Sequence, residues 1–112
     1  METTKTINFR FSVLLLREGD GWVAQCLEYD LAAQGKTIAD AKEAFAKTFA
    51  GQIAVDVHHN QEPLATFGPA PRAYWEKFKV AERLVDRQPI LGTDCLPAFM
   101  INAMADDLRV SA

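Results

Sequence analysis

Between residues 7 and 16 the chain alternates, with Phe9, Phe11, Val13 and Leu15 on one parity and Asn8, Arg10 and Ser12 on the other. Successive side chains of a strand point to opposite faces, so this run predicts a strand with one strongly apolar face. Such a face must be covered, and that requirement constrains the fold more than any other feature of the chain. Leu14 and Leu16 add apolar groups to the second parity. Cover is therefore expected on both sides of the sheet this strand joins.

The polar stretch Arg17-Glu18-Gly19-Asp20-Gly21 holds two glycines that can take positive φ, which suits a hairpin turn. A second strand is expected over residues 22–29 and a short third one over 31–35. Thr37-Ile38-Ala39-Asp40 then reads as a helix start, a Thr N-cap with an acid three residues on. Ile38, Ala41, Phe45, Thr48, Phe49, Gln52 and Ile53 recur at helical spacing, with Asp40, Glu43 and Lys47 opposite. The helix is expected to run to about residue 57. One amphipathic helix thus meets one apolar sheet face. Burying Phe9, Phe11, Val13, Phe45, Phe49 and Ile53 would supply roughly 1.5–3 kcal/mol each.

All five prolines lie beyond residue 60, so the chain changes character there. Residues 63–67 are expected to add a short edge strand, which closes a first unit at 1–67. Residues 68–112 form an extension packed on that unit. Pro71 suits the first position of a helix over about 72–85. In 94–104, Leu96, Phe99, Met100, Ala103 and Met104 fit helical spacing, although the same letters also suit an edge strand. From Val110 onward a tail is expected.

The length of 112 residues is one domain's worth. With 49% hydrophobic and 24% charged residues, disordered and fibrous classes are excluded. Twelve basic residues against fifteen acidic ones give −3, spread evenly along the chain. No basic stripe exists for a phosphate backbone, so direct nucleic-acid binding is not expected. The first ten residues do not read as a secretory signal. The longest fully aliphatic run, residues 13–16, is far too short for a membrane span. Cys26 and Cys95 sit in separate apolar contexts and read as reduced thiols, so the expected location is cytoplasmic.

The order of these pieces resembles the HicB antitoxin family. The match is carried by Phe11-Ser12-Val13-Leu14-Leu15, by Gly19-Asp20-Gly21-Trp22-Val23-Ala24-Gln25-Cys26, by Gly35-Lys36-Thr37 and by Ala39-Asp40-Ala41-Lys42-Glu43-Ala44. It spans about residues 9–55. The resemblance implies an α+β fold, a βββαβ unit of truncated ribonuclease-H-like topology with one helix over an antiparallel sheet. It also implies a partner, a HicA-like mRNA-cleaving toxin that the antitoxin disarms by occlusion, and no catalysis by the antitoxin itself. The family often has a Pro directly after the Cys; here Leu27-Glu28-Tyr29-Asp30 follows Cys26. Many members carry a C-terminal DNA-binding module, and residues 58–112, with six basic and seven acidic side chains, do not read as one.

Several residues invite a chemical reading. His58-His59 reads better as a solvated helix end than as a metal site, because neighbouring helix positions diverge and no third His exists. Glu28, Asp30 and Asp40 could belong to a degenerate nuclease site, but a turn acid and a capping acid explain them locally. Cys26, mid-strand among apolar residues, reads as a buried hydrophobe and not a nucleophile. No catalytic, metal or cofactor set is therefore expected. Tyr74, Trp75 and Phe78 form the main aromatic cluster of the extension. They are candidate partner or dimer contacts together with Glu28 and Asp30, and their other reading is cover for Leu14 and Leu16. The expectation is a non-enzymatic, dimeric, toxin-occluding module, the alternatives being a stand-alone structural or regulatory homodimer and, last, a metal-dependent nuclease.

Overall fold

The computed structural model describes residues 5–84, 88–96 and 99–111, with side chains for 7–84 and 103–111. In chain order the elements are β1 (Lys5–Glu18), β2 (Gly21–Cys26), β3 (Ala32–Gly35), α1 (Ile38–His58), α2 (Arg72–Val80), β4 (Glu82–Arg83), β5 (Gln88–Leu96) and β6 (Phe99–Ser111). The fold is mixed α+β. One sheet runs in the order β3-β2-β1-β6-β4, with β5 also paired to β6. β1, β2 and β3 form an antiparallel meander. β6 returns parallel to β1, and β4 and β5 lie antiparallel to β6.

Local chemistry explains the first half. Glu18 faces Gly21 across the β1–β2 hairpin, and of the two loop residues only Gly19 has positive φ (58°), the pattern of a type II′ turn. At Gly35 an added Cβ would lie 2.6 Å from the Ala41 nitrogen and from Asp40, so β3 can approach the start of α1 only without a side chain there. Thr37, in extended conformation, accepts a hydrogen bond from the Asp40 N–H at 3.0 Å through Oγ1 and caps the helix.

The face expected to be apolar is the main core. β1 presents Phe9, Phe11, Val13 and Leu15, and the register places Ala103, Ala105, Leu108 and Val110 of β6 beside them. Small residues on β6 leave room for the rings on β1. α1 lays Ala41, Phe45, Phe49 and Ile53 across this face. Phe11 meets Phe49 edge-on at 4.8 Å between ring centres, and Phe9 meets Phe49 in the same way at 5.4 Å. On the opposite face Leu14, Leu27, Ala70 and Phe78 form a second buried cluster, with Leu16, Tyr74 and Trp75 half-buried around it. α2 is its cover.

The structure corrects several expectations. Residues 63–66 form turns instead of an edge strand, with Leu64 at φ 59°. The strand beside β1 comes from 99–111, so the 1–67 unit and the 68–112 extension share one sheet. The extension is not helical throughout: of the two readings of 94–104, helix or edge strand, the described residues follow the strand, in β5 and β6, and residues 97–98 lie outside them. Val110 belongs to β6 and is no tail. Finally, α2 ends at Val80, five residues short of the expected end at Val85, which is itself outside the described residues. The Cys95 side chain lies outside them as well.

Candidate functional site

Two of the sequence-predicted contact residues, Glu28 and Asp30, lie at the corner where β2 leaves the sheet. The Leu27 N–H donates to the Ser12 carbonyl at 3.0 Å. One residue later the Glu28 carboxylate accepts the Ser12 N–H at 2.7 Å. A side chain thus continues the ladder that the β2 backbone has abandoned. Asp30 accepts from Gln25 Nε2 at 3.0 Å, and the same buried amide donates to the Cys26 carbonyl at 2.8 Å. Both acids therefore hold the elbow in shape, Glu28 half-buried and Asp30 exposed.

This elbow carries the route to the second helix. The Asp30 N–H donates to the Gly68 carbonyl and the Ala70 N–H to the Leu27 carbonyl, at 2.8 and 2.9 Å. These bonds lead the chain round the sheet edge and deliver Pro71 to the start of α2. Phe78 is buried beneath that helix, whereas Tyr74 and Trp75 are half-buried, and the Trp75 indole donates to the Ala70 carbonyl at 3.2 Å. The aromatic cluster thus covers Leu14 and Leu16 within its own chain.

Two functionally informative groups escaped the sequence reading. Asp56 is only 4% exposed; it accepts from the Leu64 N–H at 2.9 Å and from Gln52 Nε2 at 3.0 Å, pinning the loop after α1. Its signal was its place three residues after Ile53, on the buried stripe. The other group is the pair Asp107 and Arg109 on β6. Arg109 Nε and Nη2 bind both Asp107 oxygens at 3.1 Å, and Nη1 donates to the Phe78 carbonyl at 3.0 Å. The guanidinium also lies 4.3 Å from the Phe78 ring centre. An acid and a base two positions apart stand in the sequence, but nothing there linked them to residue 78.

Among the described residues, two open clefts flank the sheet. One, of about 350 Å³, is floored by Ile7, Phe9 and Tyr29 and walled by Pro63, Leu64 and Phe67. The other, of about 330 Å³, lies by the hairpin end among Glu18, Asp20, Trp22, Val23, Gln34 and Lys36. Burial pushes the Cys26 thiol up to about 12, so it stays protonated near neutrality and is no thiolate nucleophile. Burial also raises the Tyr29 hydroxyl above its ordinary value. His58 and His59 are exposed, their rings 5.6 Å apart. Among the described residues no three His, Cys, Asp or Glu side chains gather as a metal site, and Glu28, Asp30 and Asp40 do not converge. No helix among them is long and apolar enough to cross a membrane.

Comparison with protein-family models, with characterised proteins and with solved structures gives no match for this chain.

Proposed function

We propose that this chain is a HicB-like protein-binding module that disarms a small RNA-cleaving toxin by covering it, with no chemistry of its own. The observation that carries this reading is the sheet order. An antiparallel meander crossed by one helix agrees with the α+β unit that the resemblance implies, and a later strand, β6, returns parallel beside β1. The matched glycines and Thr37 serve the turn, the close approach and the helix cap, which supports the fold part of the resemblance. Exposed Asp30 offers an acidic contact to a basic partner.

One fold hosts many functions, so the binding step needs its own test. The chain is co-expressed with a small basic HicA-like protein encoded beside its gene. Rescue of toxin-arrested growth and co-purification of the two are expected; neither rescue nor complex would overturn the reading. The second reading is a stand-alone homodimer without a toxin; the aromatics of α2 already cover their own sheet, so its contact would lie elsewhere. Light scattering that gives a dimer, with no toxin gene adjacent, would select it.

A further inference from the structure

We propose that α2 is a releasable strap, latched by Arg109, whose detachment uncovers the apolar strip at Leu14 and Leu16 while the α1 face stays folded. Independent packing is the first ground. The buried cluster under α2 shares no member with the cluster under α1, so one can open without dismantling the other. Intrinsic weakness is the second. α2 has nine residues, its N-cap Pro71 makes no side-chain bond, and helices shorter than about 12–15 residues are marginal in water by themselves.

The latch supplies what the helix lacks. Arg109 reaches from β6 to the carbonyl end of α2, binding Phe78 O at 3.0 Å and Lys79 O at 3.5 Å while its other nitrogens grip Asp107. A cation at a helix C-terminus is favoured by the helix dipole. Arg83 approaches Asp107 at 3.6 Å and joins the same cluster. The side chains of Arg109 and Asp107 keep 24% and 22% of their exposure, so solvent and ions can reach the latch.

Backbone pins on either side let the helix lift without loss of the chain path. Ala70 is held to Leu27 before the strap, and the Leu84 N–H donates to the Leu108 carbonyl at 2.8 Å after it. α2 itself occupies the strip that its release would expose.

Amide hydrogen exchange of the full chain tests this. In the parent, amides of 74–80 are expected to exchange faster than those of 45–56 in α1. Arg109→Ala should accelerate 74–80 at least about tenfold, since charge-assisted bonds and the ring contact are lost together, and leave 45–56 unchanged within about twofold. Arg109→Lys keeps the charge without the planar fork and should fall between. Equal acceleration of both helices, unchanged α2 rates in Arg109→Ala, or global unfolding of that variant would each overturn the proposal.

Discussion

The sheet's two faces solve the same problem with different means. On one, a 21-residue helix lays Phe45, Phe49 and Ile53 against Phe9, Phe11 and Val13, and the rings meet edge to face with no polar group required. On the other, a nine-residue helix brings one buried ring, Phe78, and its hold is completed by an arginine that grips a carboxylate and two backbone carbonyls. Apolar packing is non-directional and sums over a large area. A latch of charged hydrogen bonds is directional, partly solvated and released by one substitution. The first face therefore carries the stability of the fold, and the second adds a part that can respond.

Substitutions sharpen this contrast in order of size. Phe49→Ala opens a cavity at the centre of the first face and should cost about 3–5 kcal/mol in urea denaturation. Asp56→Ala strands the Leu64 N–H and Gln52 at the joint between the faces, and a loss of about 2–3 kcal/mol is expected from thermal melts. Phe78→Ala, at 8% exposure and with one ring side against Arg109, should cost about 2 kcal/mol, less than Phe49→Ala. An equal cost at positions 49 and 78 would break the comparison.

Alkaline titration probes the first face through Cys26. Cys26 has its folded pKa raised to about 12 from 9.0, so above pH 9 the unfolded chain loses a proton that the folded chain keeps. Its contribution is intact below 9 and declines by about 1.4 kcal/mol per pH unit until about 12. Tyr29, also raised, acts in the same direction. Urea midpoints measured from pH 8 to 11 should fall, and Cys26→Ala should flatten the fall relative to the parent.

How far the sequence revealed this arrangement follows from periodicity. β1 and α1 were legible because their apolar positions keep a constant period of 2 or 3.6, and the Gly19 turn was legible from its glycines. β2, apolar on both parities, ends at Cys26 instead of running to 29. Cover of the second face by Tyr74, Trp75 and Phe78 was legible as a need, since Leu14 and Leu16 demanded it. β6 was hidden by a register shift. Phe11 pairs with Ala105 but Ser12 with Asp107, so Asp106 is extra, and the buried positions jump from 105 to 108. A bulge of this kind erases alternation. The remaining letters, from Leu96 to Met104, then imitate a helix. The roles of Glu28 and Asp30 were hidden too, because their partners are backbone and amide groups brought close only by the elbow.

A single NOESY spectrum of the labelled full chain tests most directly whether one sheet is covered on both sides by its own helices. Cross-peaks are expected between the Phe11 and Phe49 rings, whose centres lie 4.8 Å apart, and between Phe78 and Leu14. A spectrum with the first contact and no trace of the second would contradict the account.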